Sequence, residues 1–272
     1  ILVNILFTFF LLSLACGNVF ADDFTLPLNL SKLNWFVKQG FASSDISPTN
    51  DVLGSNDYKK IANLPIILNP IFKIPTSFDS VNEFTLTCNF RLSLERIDKG
   101  KELAFLFSGI GETWEIYLNG ERIRNEFGLE KNQIKKYKTQ RNAVISIPYG
   151  LLQEKNTLTI HLAGYAPTSF LSPNILLGLR FKEGYVLDYE KKIEASVEQT
   201  SLLLFNAVYI FFGLYHLFFF VRWTEKKYNL YFGVFSISIS TYFLAFSNAA
   251  FEIFSDTRGL LYLAYVSQPI AL

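Results

Sequence analysis

The stretch "ETWEIYLNGERIR", Glu112 to Arg124, decides the fold class. Its side chains alternate: Trp114, Ile116 and Leu118 fall on one face of a strand, and Glu115, Tyr117 and Asn119 on the other. Asn119-Gly120 then supplies two residues that tolerate positive φ, as a type I′ turn requires, so a second strand returns through Ile123. The same alternation recurs in "VNEFTLTCNFRLSL" from Val81, "KELAFLFSGI" from Lys101, "NAVISIPYGLL" from Asn142 and "NTLTIHLAG" from Asn156. The stretch "ILLGLRFKEG" from Ile175 is a further candidate. Short strands at such spacing, uninterrupted by amphipathic helices, predict an all-β sandwich or barrel over residues 22–184. At that length it buries its own core without disulfides.

The rest of the chain is of another kind. The 272 residues hold 28 Phe and 14 Tyr, a net charge of +1 and 18% charged residues, where about a quarter is usual. The apolar excess gathers at the start and after Leu202, which predicts a membrane protein with an exported insert. Near-neutral charge gives no argument for nucleic acid. Residues 1–21 read as a signal peptide, with Val19-Phe20-Ala21 suiting cleavage after Ala21; "SLAC" ending at Cys16 is the rival lipidation site. No Met is present and the chain ends in an apolar run, so it reads as a piece of a longer protein.

Leu202 to Val221 carries no formal charge over 20 residues, the length that crosses a bilayer core of about 30 Å. The expected spans are 201–223, 228–250 and the start of a third at 259–272, with 185–200 as a juxtamembrane connector. In that connector Val186, Tyr189, Ile193 and Val197 recur at helical spacing. Arg222, Lys226 and Lys227 follow the first span, whereas Arg258 stands beside Glu252 and Asp256 after the second. The positive-inside rule therefore puts the first loop in the cytoplasm and the sandwich outside, in agreement with the signal peptide. His216, the one ionisable residue within a span, is a candidate functional group or an interfacial one.

Candidate ligand contacts are aromatic, because sugar rings stack their C–H faces on π-surfaces. Tyr165 and Phe170 in "GYAPTSFLSPN" qualify, as does Trp35, which also reads as a core anchor together with Trp114. Lys135, Lys136, Lys138 and Arg141 form a basic segment that would face an anion or lipid headgroups, or simply solvent. Cys88, alone in the mature chain, reads as a buried small hydrophobe and excludes a disulfide framework. His161 shows no evident partner. No acid pair, Ser-His-Asp set or Gly-rich phosphate loop argues for catalysis, and nothing calls for a cofactor or metal.

The order "LNWFVKQGF", "NDYKKIANLP", "FTLTCNFRLS", "ETWEIYLNGERI", "AVISIPYGLLQEKNTLTIHLAG" resembles the galactose-binding-like jelly roll, the sugar-binding domain found in front of many glycosidases. With "VYIFFGLYHLFFFVRW" and "KKYNLYFGVFSISISTYFL" behind it, the whole resembles bacterial seven-transmembrane receptors with diverse intracellular signalling modules, Gly213, Tyr215 and Arg222 being the family-like positions. That resemblance implies a multi-pass protein of the bacterial cytoplasmic membrane that senses an extracellular small molecule or glycan and drives an output module behind a seventh helix. The bilayer and a second copy of the chain, as a homodimer, are the other expected partners. The alternatives are a membrane-anchored carbohydrate-active enzyme and a transporter with an accessory sugar-binding domain.

Overall fold

The computed structural model describes residues 23–24, 26–49, 53–75, 77–98, 100–166 and 179–271. The expected signal peptide and Phe170 lie outside them. Nine main strands are β1 (Trp35–Gln39), β2 (Lys59–Ile61), β3 (Ser77–Leu92), β4 (Leu103–Ile110), β5 (Thr113–Leu118), β6 (Glu121–Asn125), β7 (Gln140–Ser146), β8 (Lys155–Ala166) and β9 (Tyr185–Tyr189). One sheet runs β2-β1-β3-β8-β5-β6, antiparallel throughout, with Asp23–Phe24 added parallel to β3. The other runs β7-β4-β9 and ends on Leu28–Asn29. The core lies between them: Trp35, Phe84, Leu86, Phe90, Trp114, Ile116 and Ile160 from the first sheet meet Phe105, Phe107, Ile145, Tyr185 and Leu187 from the second. The expected β-sandwich is therefore present. Cys88 is fully buried within it, and burial raises its thiol pKa.

The hairpin forms as its sequence predicts. Asn119 and Gly120 adopt φ of 52° and 89°. The Asn119 side chain also ties the turn to β8: its Nδ2 donates to Leu151 O at 2.8 Å and Asn156 Oδ1 at 2.9 Å, and its Oδ1 accepts the Thr157 N–H at 2.8 Å. Trp35 and Trp114 are both core residues, with Trp35 Nε1 donating to Leu30 O at 3.0 Å and Trp114 Nε1 to Lys138 O at 2.7 Å. This removes Trp35 from the sugar-stacking candidates.

The sandwich ends later than the alternation alone suggests. Tyr185 to Tyr189 is not helical connector but strand β9, because Tyr185 and Leu187 point two apart into the core and Val186 pairs with Leu106. Helix α1 (Glu190–Val197) follows, then α2 (Thr200–Arg222), α3 (Lys227–Ala245), α4 (Asn248–Ile253) and α5 (Arg258–Ala271). The expected second span of 228–250 is split: α3 ends at Ala245, and Ser247 caps α4 by accepting the Ala250 N–H. By length and composition, the helical run Glu190–Arg222 is the one among the described residues long and apolar enough to cross a membrane.

Helices α2 and α3 pack closely because two glycines meet. A Cβ on Gly213 would lie 2.6 Å from Ile237 Cγ1 and 3.1 Å from Gly233 O, and one on Gly233 would lie 2.8 Å from Leu217. Polar bonds bracket this crossing. Ser240 Oγ donates to Asn206 O at 3.0 Å toward one end, and His216 Nδ1 bonds Asn229 Oδ1 at 2.9 Å toward the other. His216 is thus an interhelical bridge. Leu204, Phe205, Phe211, Phe218 and Tyr231 are exposed on the pair.

Asn119→Ala should remove three side-chain hydrogen bonds and place a Cβ-bearing residue less tolerant of positive φ in the turn. A loss of about 2–3 kcal/mol is expected, read from the unfolding midpoint by Trp35 and Trp114 emission.

Candidate functional site

The segment between β6 and β7 holds the sandwich against the helices. It carries three lysines of the basic patch, and the structure scatters their roles. Lys135 is exposed, and Lys136 Nζ pairs with Glu126 Oε2 at 2.6 Å. Lys138 is only 3% exposed: its Nζ donates to Phe251 O at 2.5 Å and Phe254 O at 2.7 Å, carbonyls at the C-terminal end of α4. Those carbonyls have no intrahelical partner, and a cation there also meets the negative end of the helix dipole. Arg141 lies 4.7 Å from the Phe246 ring centroid. The expected anion or headgroup patch is therefore not a free surface; two of its four members clamp the helices.

Neighbouring bonds extend the clamp. Tyr137 O accepts Thr257 N–H at 2.8 Å and Thr257 Oγ1–H at 3.2 Å. Arg258 Nη2 donates to Ile134 O at 3.2 Å, and its guanidinium sits 5.4 Å from the Tyr137 ring centroid. Gln140 Nε2 bonds Glu252 Oε1, and Asn142 Nδ2 donates to Asn248 Oδ1 at 3.3 Å. Asn248 in turn donates to Gln199 Oε1 and Val197 O, both at 2.8 Å, where α1 gives way to α2. Beneath these polar ties Val81, Ile134, Tyr137, Ala163 and Leu261 form an apolar seam, with Phe127, Leu129, Tyr165, Phe246 and Tyr265 packed on it.

At the sandwich side of the seam stands Glu112, 1% exposed. Its Oε2 accepts the Tyr165 N–H at 2.9 Å, and its backbone O accepts the Lys138 N–H at 2.6 Å. Burial pushes the Glu112 carboxyl up to about 7, against the pull of hydrogen bonds from Tyr165 and Tyr137 and of the Arg258 charge. Tyr165, expected to stack a sugar, is placed instead in the seam, half-buried, with its amide holding this acid. Neither Glu112 nor Tyr137 stands out in the sequence, although Arg258, the lone base between the second and third apolar runs, marks one side of the junction.

His161 does have partners. It points from the outer face of β8, where Glu115 is its neighbour in β5. Nδ1 lies 2.8 Å from Glu115 Oε1 and Nε2 2.6 Å from Glu83 Oε1. Phe41 stacks on one side of the imidazole at 3.8 Å and Phe127 on the other at 4.1 Å. Burial disfavours the imidazolium, but the bonds from Glu115 and Glu83 outweigh it and raise the His161 pKa. Glu115, also opposed by burial, is lowered by His161, Tyr117 and Arg122. Phe127 belongs both to this box and to the seam, so the two polar groups adjoin. Every nitrogen of the imidazole is bonded and both its faces are covered, which suits a fixed internal charge rather than a general base awaiting substrate.

No family model and no curated protein matches the chain. Among solved structures, a glycosyl hydrolase family 2 member from Bacteroides cellulosilyticus shares 14% identity over 60% of this chain, at a TM-score of 0.40. A beta-glucuronidase from Bacteroides uniformis shares 14% over 59% at 0.37, and a beta-D-mannosidase from Dictyoglomus thermophilum 14% over 56% at 0.35. The aligned part spans 20%, 17% and 17% of those chains.

Two pH effects share one sign. Glu112 and His161 both hold protons more tightly in the folded chain, so each contributes stability below its unfolded pKa that is lost as pH rises through the folded value. For Glu112 that window runs from the ordinary value of 4.5 to about 7; for His161 it opens above 6.5. The unfolding temperature should fall from pH 5 to pH 9, and Glu112→Gln should flatten the part below neutrality. Separately, Lys138→Met should speed amide exchange over 250–258 by about tenfold or more while β3 and β8 stay protected.

Proposed function

We propose that the chain is the sensing and first transmitting part of a multi-pass membrane receptor of the bacterial seven-transmembrane type. The observation that carries the reading is the clamp. Loop 134–142 is bonded on one side to Glu112 and to the core indole of Trp114, and on the other to α4, to the start of α5 and to Asn248. A passive tether needs one covalent linker; here polar bonds and an apolar seam fasten the domain to α4 and the start of α5, the segment that follows α3. Motion of the sandwich thus has a direct route into the helix pair.

The outward Leu and Phe residues of α2 and α3 suit lipid, and the Gly213–Gly233 contact suits close packing where water gives no drive for association. The sandwich then lies outside the cytoplasmic membrane, and its ligand is a small molecule or glycan. The second reading, a membrane-anchored carbohydrate-active enzyme, would draw on Glu83 and Glu115, two carboxylates facing one another across His161.

Cysteine labelling in cells separates these readings. In a background without Cys16, Lys131→Cys should react with an impermeant maleimide in intact spheroplasts, and Glu225→Cys only after permeabilisation. The reverse pattern, or equal labelling of both, overturns the receptor topology. Glycoside hydrolysis by the purified chain that is lost in Glu115→Gln would favour the enzyme.

A further inference from the structure

The seam between the sandwich and the helices holds one group that an apolar junction does not need, the carboxyl of Glu112. The residue stands at the crossover from β4, in one sheet, to β5, in the other. It is buried, and it forms no ion pair among the described residues. Arg258 is near enough to act on it through charge, yet its guanidinium is engaged elsewhere, with Ile134 O at 3.2 Å and beside the Tyr137 ring. A neutral carboxyl tolerates that setting. A carboxylate does not, because a buried charge needs a close partner or water.

Three groups face the carboxyl, each from a different element. The Tyr165 N–H of β8 donates to it at 2.9 Å, the Tyr137 hydroxyl reaches it from loop 134–142, and the Arg258 charge acts on it from α5. The neighbouring charges have partners of their own. Lys136 pairs with Glu126, Lys138 donates to the α4 carbonyls, Glu83 and Glu115 hold His161, and Asp256 accepts the Arg258 N–H. Residues 167–178, which follow β8 in the chain, include no titratable side chain. Burial outweighs the three facing groups, so the docked junction holds the Glu112 proton more tightly than a junction that water enters. By linkage, the proton in turn favours the docked junction, and that advantage is lost as pH rises.

Two of the three facing residues are those that dock α5. Tyr137 O accepts the Thr257 N–H at 2.8 Å, and Arg258 bonds Ile134 O. We propose that Glu112 makes the docking of α5 on the sandwich proton-dependent: the seam is closed while the carboxyl is neutral, and loss of the proton loosens it. The carboxylate draws the Tyr137 hydroxyl and the Arg258 guanidinium toward itself and admits water, which weakens the contacts to Thr257 and Ile134. In the receptor reading this face lies outside the membrane, so external pH sets how firmly the sandwich grips the helices. That consequence rests on the receptor reading; the docking itself does not.

The test follows amide exchange by mass spectrometry on the whole chain in nanodiscs, with each rate divided by its intrinsic value at the same pH. Protection over 254–262 should fall about tenfold or more from about pH 5.5 to about pH 8, while β3 and β8 keep theirs. Glu112→Gln cannot ionise, and its protection should stay within about twofold over the same range. Glu112→Asp keeps an ionisable group and should retain the fall, as should Asp79→Asn, which removes another acid near the start of β3. The Gln variant also separates Glu112 from His161, which titrates nearby and is intact in it. A wild-type profile that is flat or rises with pH overturns the proposal without any variant. A fall that persists in Glu112→Gln, or vanishes in Asp79→Asn, overturns it too. None of these results depends on membrane topology, so the labelling experiment can fail or succeed independently.

Discussion

A lysine ammonium with no water around it must find oxygen, and Lys138 finds it on another element. Burial lowers its pKa against the opposing charges of Glu126 and Glu252, and its ammonium donates to the Phe251 and Phe254 carbonyls. The bond serves both sides. The end of a six-residue helix, too short to be stable alone, gains the partners its last carbonyls lack. The backbone of Lys138 is held equally firmly, its N–H by Glu112 O and its O by the Trp114 indole. A continuous line of hydrogen bonds therefore runs from the centre of the sandwich core through one residue to the helices, and the remaining contacts of the junction are arranged around it.

The acids near that line are arranged so that charge is costly to change. Glu112 is buried beside an amide, a phenol and an arginine that do not fully offset its desolvation. His161 is buried between two carboxylates that do offset its own. Both lie at or beside the seam, and Phe127 touches each region. A change in protonation of Glu112 alters the charge facing Tyr137 and Arg258, the residues through which α5 is docked. A local change at Glu112 is thus passed directly to the contacts that dock α5.

How much of this could be read from the residues follows from the range of the interactions. Period-two alternation and the Asn119-Gly120 turn are local, and they yielded the strands and the hairpin correctly. The boundary at residue 185 failed because Val186, Tyr189, Ile193 and Val197 fit a helical period by coincidence, while the real periods are two up to Tyr189 and helical after it. The basic segment misled for a deeper reason. Lys138 is separated by 113 residues from its acceptor, and that acceptor is a backbone carbonyl, which has no residue type to recognise. Tyr165 and His161 misled similarly: one contributes a backbone amide, and the other is completed by acids from two neighbouring strands.

Strand β7 and helix α1 share both of their ends. At one end Ser146 bonds Glu190; at the other Asn142 bonds Asn248, which also holds the carbonyl of Val197. An α-helix of eight residues spans about 12 Å and resists bending, because its backbone bonds fix each turn on the next. A displacement of Glu190 therefore reaches Val197 as a shift or tilt of the whole helix rather than dissipating along a flexible linker. Val197 lies three residues before α2, and Asn248 opens α4, the helix that Lys138 clamps. The two routes from the sandwich, one through α1 and one through loop 134–142, converge on Asn248. A force applied to one route alone therefore also bears on the other at that residue. At that crossing Ile237 packs against Gly213 and Leu217 against Gly233, and the Ser240–Asn206 and His216–Asn229 bonds flank them, so α2 and α3 take up such a force together.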